Sequence, residues 1–229
     1  MEDFPRYAIY YAPAPGPLAD FGAAWLGWDA QAGCAVPHPQ VPGLPGPVHE
    51  LTRQPRKYGF HGTLKPPFRL AEGQGPQDLA EGVRLLAARL APVRLEGLQP
   101  AQIGGFVALT PVGDVAPLAE LAGAVVTGLD GYRAPLTAGE VARRRPDRLS
   151  PRQRANLDHW GYPHVLEEFR FHLTLTGPLK RARLDAVRAA LAPMLEPLMP
   201  QPFEVPDICL FGEGRDGRFR LIHRYALSC

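Results

Sequence analysis

Two segments of this chain alternate apolar with polar residues at a period of two. In YGFHGTLKPPF, Phe60, Gly62 and Leu64 interleave with His61, Thr63 and Lys65. In FRFHLTLTGP, Phe169, Phe171, Leu173 and Leu175 interleave with Arg170, His172, Thr174 and Thr176. A half-buried strand gives that period, because successive side chains point to opposite faces. Pro66 and Pro67 are expected to end the first strand, and the second reads as the clearest strand in the sequence. The run from Tyr7 to Tyr11 predicts a further, buried strand closed by the prolines from Pro13 onward.

Helical spacing marks the rest. Phe21, Trp25 and Trp28 share a face of a helix expected from Leu18 to about Trp28; Leu79, Val83, Leu86 and Leu90 do so from Gln77 to Leu90, with Pro76 suited to the first turn. Val115 to Leu129 predicts another helix, with Gly131 just beyond its end. Leu136 to Arg145 and Ser150 to Trp160 read as short helices, the second opened by a serine cap and Pro151. Val93–Leu98 and Ile103–Thr110 predict a hairpin-like pair. After a helix from Leu184 to Met194, Phe203–Phe211 and Phe219–Leu227 predict strands joined by GEGRDG. Prolines and glycines make Val36–Val48 a surface loop.

Laid in order, these elements repeat: a strand containing FHxTL, a helix, a strand, a turn and a strand, first around His61 and again around His172. The expected architecture is a single α+β domain over 1–229, made of two lobes at about 1–114 and 115–229. Two antiparallel sheets would face a central cleft with helices outside, and a helical insertion at about 137–163 would interrupt the repeat.

Composition narrows the picture. With 229 residues the chain can bury a substantial core, and a net charge of +2 demands no nucleic-acid partner. Cys34, Cys209 and Cys229 are odd in number and widely spaced, which argues against a disulfide framework or zinc knuckle and fits a reducing cytoplasm. The acidic start MEDFP and the lack of about 18 consecutive uncharged apolar residues predict neither an export signal nor a membrane span.

Period two also puts His61 beside Thr63, and His172 beside Thr174, on single strand faces. One such histidine alone is usually a satisfied polar residue; the duplication points to a pair. Two imidazoles around one ligand can act as base and acid, since histidine titrates near neutrality, at about pKa 6.5. The threonine hydroxyls can donate hydrogen bonds to the non-bridging oxygens of a phosphodiester. Lys65 and Thr176 continue those faces and are candidate substrate contacts or strand-end residues. Tyr58 and Arg56 precede the first motif and could line the cleft. Tyr7 and Tyr11 read first as core aromatics, with Tyr11 kept as a substrate-binding candidate. Arg133 is a candidate for a second phosphate ahead of the run Arg143, Arg144, Arg145 and Arg148, most of which reads as a solvated helix end. His159 and His164 do not share a helix face, and with no HxH or HExxH pair neither a metal nor a cofactor is implied.

HGTL at 61–64 and HLTL at 172–175 resemble the paired HxT/SxΦ motifs, Φ apolar, of the 2H phosphoesterase superfamily. Beyond these motifs, YGFHGTLKPPF, YRAPLTAGEVARRRPDRLSPRQ and WGYPHVLEEFRFHLTLTGPL resemble a bacterial branch of that superfamily encoded beside phosphonate-degradation genes. This resemblance implies a cyclic phosphodiesterase in carbon–phosphorus lyase metabolism, opening 5-phosphoribosyl 1,2-cyclic phosphate to ribose 1,5-bisphosphate. Two alternatives stand beside it. Other 2H branches process RNA ends with a 2′,3′-cyclic phosphate or a 2′,5′ linkage, which calls for a long basic groove with exposed aromatics. A catalytically silent protein that binds a phosphorylated small molecule is the third.

Overall fold

The computed structural model describes residues 3–229. Its strands are β1 (Tyr7–Tyr11), β2 (Gly62–Phe68), β3 (Val93–Leu95), β4 (Gly97–Ile103), β5 (Phe106–Val112), β6 (Leu173–Thr174), β7 (Phe203–Val205), β8 (Asp207–Glu213) and β9 (Phe219–Ala226). Its α-helices are α1 (Pro17–Leu26), α2 (Val48–Leu51), α3 (Pro76–Ala87), α4 (Ala116–Gly128), α5 (Ala138–Arg143), α6 (Pro151–Trp160) and α7 (Arg181–Leu195). The fold is α+β, as expected. Every strand pairing is antiparallel, in a seven-stranded sheet ordered β4-β5-β6-β2-β1-β8-β9 and a small β3-β7 sheet. No helix among the described residues is long and apolar enough to cross a membrane.

The sheet's two halves meet edge to edge where β2 pairs with β6 at Gly62 and Leu173, so the two anticipated sheets are joined into one. Each half draws on both ends of the chain. The β4-β5 hairpin from the first half pairs with β6, and the β8-β9 hairpin from the second pairs with β1. A division at residue 114 therefore does not divide the sheet. The hairpin itself spans 97–112, while Val93–Leu95 leaves it to pair with β7, correcting the expected pairing of Val93–Leu98 with Ile103–Thr110.

One face of the sheet carries the main core. Tyr7, Ile9 and Tyr11 of β1 point there and meet apolar side chains of α1, α3, α4 and α7, such as Trp25, Val83, Val125 and Leu191. Ala8, Tyr10 and Ala12 point to the other face, beside Phe211 and Phe219, and this second face bears the cleft.

Two strand expectations need correction. β2 runs through Pro66 and Pro67 instead of stopping at them. Its register against β1 slips: Tyr10 pairs with Thr63 but Ile9 with Lys65, so Leu64 has no counterpart, and a second irregularity lies at the prolines opposite Ala8. Such bulges accommodate residues that lack an N–H. The second motif strand forms a ladder only over Leu173–Thr174. Upstream, the Arg170 carbonyl is taken by the His172 ring. Downstream, the N–H groups of Leu175 and Thr176 both donate to the Val107 carbonyl, while Thr176 Oγ1 accepts the Val107 N–H.

Residues 137–163 carry α5 and α6. Thr137 and Ser150 open α5 and α6 with reciprocal capping bonds to Glu140 and Gln153, and Gly161 closes α6 in the left-handed conformation. Arg69 pairs with Glu140, and Gln153 and Asn156 hydrogen-bond Glu168 and the Val165 carbonyl, tying the insertion to the body of the protein.

Candidate active site

Both histidines sit one residue ahead of their strands for the same reason. His61 Nδ1 is 2.9 Å from the carbonyl oxygen of Gly59, and His172 Nδ1 is 2.8 Å from that of Arg170, two residues upstream in each case. In each case the ring turns back onto the main chain just before the strand begins. A carbonyl only accepts, so each Nδ1 carries the proton, and in the neutral ring Nε2 keeps its lone pair. The Thr63 hydroxyl lies 3.1 Å from His61 Nε2 and can donate to it.

Gly62 opposite Leu173 fixes how the motifs meet. Continuing that antiparallel register by one residue each way sets His61 across from Thr174 and Thr63 across from His172. The four side chains form a near-twofold square on one wall of a cleft of about 610 Å³, within the usual range for small ligands of roughly 300–1,000 Å³. Gly62 is required at the centre: a Cβ there would run into the Phe171 ring.

The surroundings favour neutral imidazoles. Burial, with a smaller contribution from nearby His172, pushes the pKa of His61 down to about 4 against the opposing bond to Gly59. Burial likewise lowers that of His172, opposed by the Arg170 carbonyl. Tyr10 covers His61 with ring centroids 3.8 Å apart, and Phe106 lies 5.5 Å from His172.

Of the other residues weighed in the sequence, Tyr58, Arg144 and His164 line this cleft. Lys65 is buried on the opposite side, 2.9 Å from the Val126 carbonyl and 3.1 Å from Asp130, because the bulge at Leu64 reverses its facing. Thr176 is buried against Val107, and Tyr11 packs on Phe171 and Phe203. Arg133 is held by Asp130 and by the carbonyl of His159, outside the cleft. Arg56 bonds carbonyls of Leu26 and His49. These five are held by the fold itself.

The cleft also draws on residues that were not among the site candidates. Arg6 and Tyr10 come from β1 and the residue before it, on the face that also holds Ala8; Arg170 is two residues ahead of His172. Period two contains all three, once it is known which face of each strand is open. From residues 137–163 and the stretch just after them come Gln153 and Tyr162, together with Arg144 and His164. No strand periodicity could have announced them. Among the described residues no three His, Cys, Asp or Glu side chains gather in a metal-binding cluster.

An antiparallel α+β fold with two His-x-Thr segments abutting on one cleft defines a paired-histidine protein. The chain belongs to the family described as protein of unknown function (DUF1045), whose pattern matches residues 63–220. It is 39% identical over 188 residues to the ribose 1,5-bisphosphate phosphokinase PhnN of Janthinobacterium sp. (strain Marseille), covering 81% of this chain and 42% of that protein. To the protein of the same name from Laribacter hongkongensis (strain HLHK9) it is 37% identical over 220 residues, 94% of this chain and 50% of that one. The chain thus spans half or less of the length of these relatives. Among solved structures, E. coli LigT in apo form aligns over 100% of both chains with a TM-score of 0.45 at 15% identity. A structure described only as a phosphoesterase aligns over 99% of this chain and 100% of its own, with a TM-score of 0.44 at 16% identity.

Proposed function

We propose that the chain is a metal-independent cyclic phosphodiesterase of the 2H phosphoesterase type, acting on a small ribose phosphate in phosphonate metabolism. Its candidate substrate is 5-phosphoribosyl 1,2-cyclic phosphate. The observation that carries this reading is the square of His61, Thr63, His172 and Thr174 on one wall of one cleft, with both Nδ1 protons committed to backbone carbonyls.

Ring opening needs two proton transfers on opposite sides of phosphorus. A neutral imidazole takes a proton through Nε2 from water as the new P–O bond forms, and the other, protonated, returns one to the ribose oxygen as its P–O bond breaks. Thr63 and Thr174 donate to the non-bridging oxygens, where charge accumulates. Burial keeps both rings neutral before substrate binds, and the bound anion raises the pKa of the ring that must act as acid.

The names of the two relatives support the pathway. Ribose 1,5-bisphosphate, the compound in their printed name, is what hydrolysis of the 1,2-cyclic phosphate at O2 leaves. None of Lys57, Lys65 and Lys180 follows a glycine, so this chain has no GxxxxGK[S/T] phosphate loop, and a phosphokinase activity suits the part of those relatives it does not match.

The test is turnover of 5-phosphoribosyl 1,2-cyclic phosphate and of a 2′,3′-cyclic nucleotide in EDTA, by the native chain, His61→Ala and His172→Ala. The native chain should prefer the ribosyl phosphate, and each variant should lose about 10²–10⁴-fold in kcat. Cleavage of the nucleotide alone would keep the mechanism and remove the pathway. Activity that survives both substitutions would leave a binding protein.

A further inference from the structure

Three arginines line the cleft, and they differ in what holds them. The Arg6 fork is filled by Glu213, which takes both Nε and Nη2. Arg170 and Arg144 have no carboxylate partner among the described residues, although Glu168 also lines the cleft, where it accepts from Gln153. Arg144 is the more constrained of the two. It caps α5, and its guanidinium carbon lies 4.6 Å from the centre of the Tyr162 ring. Stacking of that kind occupies the flat face of the guanidinium and leaves the N–H groups round its edge free to bind. The next residue, Arg145, adopts a left-handed conformation at φ 50°, a cost that a non-glycine residue bears where the fold needs the chain to turn there. This turn ends α5 and leads through Pro146–Arg148 into α6, so the chain passes from Arg144 to Tyr162 by way of the capped insertion.

We infer that Arg144, stacked on Tyr162, anchors a second phosphate of the ligand, a phosphomonoester distinct from the reacting phosphodiester, and so sets the preference for doubly phosphorylated substrates. The two histidines and Arg144 come from different elements but border one cleft, so a ligand held at the reacting groups also has an open guanidinium edge within the same cavity. Arg170, exposed and two residues from His172, adds positive potential near the first phosphate. This inference rests on the phosphodiesterase reading for the identity of the reacting end only.

Two measurements keep the two readings apart. In the first, kcat and KM are compared for ribosyl 1,2-cyclic phosphate with and without its 5-phosphate, using the native chain and Arg144→Gln. The substitution should raise KM for the 5-phosphorylated substrate by about tenfold or more, the weight of a lost charge-assisted contact, and leave kcat and the unphosphorylated substrate within about twofold. In the second, ribose 1,5-bisphosphate and ribose 1-phosphate are titrated calorimetrically into both proteins. The native chain should gain affinity from the 5-phosphate, and Arg144→Gln should lose that gain. Equal losses on both members of either pair, or no loss on either, would overturn the subsite. If the native chain turns over neither cyclic compound but the calorimetric difference depends on Arg144, the phosphodiesterase reading falls and the subsite stands.

Discussion

Each histidine of the cleft commits its Nδ1 proton to the carbonyl two residues upstream, leaving one nitrogen, Nε2, for chemistry. The lowered pKa values make the pH dependence definite. With His61 at about 4 and His172 below 6.5, both rings of the free enzyme are neutral at pH 7. On the proposed mechanism one of them must be protonated, so kcat/KM should fall with rising pH along a limb that lies below the ordinary histidine value of about 6.5. It should fall again on the acid side, where the ring acting as base becomes protonated. Saturation with an anionic substrate raises the pKa of the acid, so the alkaline limb of kcat should lie at higher pH than that of kcat/KM. Parallel pH–rate profiles measure both limbs. A kcat/KM optimum at pH 8 or above would show that neither lowered histidine serves as the acid.

At the scale of elements, the bulge in β2 decides which polar residues serve the cleft. Up to Thr63 the strand keeps the alternation read from its sequence; past Leu64 the facing reverses and Lys65 enters the core. There burial lowers its pKa to about 8, and Asp130, which also pairs with Arg133, compensates the buried charge. Removing a partner from a buried pair leaves an uncompensated charge and typically costs about 3–5 kcal/mol. Lys65 is nearly fully buried and Asp130 only partly so; Asp130→Ala should therefore destabilise the protein by about 3 kcal/mol in urea unfolding while the folded fraction keeps its turnover. A variant that stays stable but loses activity would mean that Lys65 serves the site after all. The second motif shows the complementary effect. Its alternation survives in burial, with Phe171, Leu173 and Leu175 inside, but the ladder spans only two residues, with the His172 ring bonded to a main-chain carbonyl upstream and the Thr176 side chain taking the Val107 N–H downstream.

For the whole molecule, the exchange of hairpins between the two sequence halves makes folding a joint event. Neither 1–114 nor 115–229 contains both edges of its half-sheet, since β4-β5 needs β6 and β1 needs β8. Fragments 1–114 and 115–229 expressed alone should lack cooperative thermal unfolding and dispersed amide resonances. A folded isolated half would contradict the intertwined sheet. The α+β class, most of the element order and the two His-Thr pairs were legible in the sequence, because period-two and helical patterns record burial along each element and a duplicated pair stands out against chance. Tyr58 was legible too, from its place just ahead of the first motif. Three things were decided only by tertiary structure. Which strand face opens on the cleft depends on where the helices pack, and that exchanged Tyr11 for Tyr10. The facing of Lys65 depends on a slip against a partner strand distant in sequence. The presence of Arg144 and Tyr162 at the cleft depends on residues 137–163 packing so as to border it. A sequence records which neighbours a residue has along its own element, whereas a cleft is built from residues that meet only when separate elements pack together.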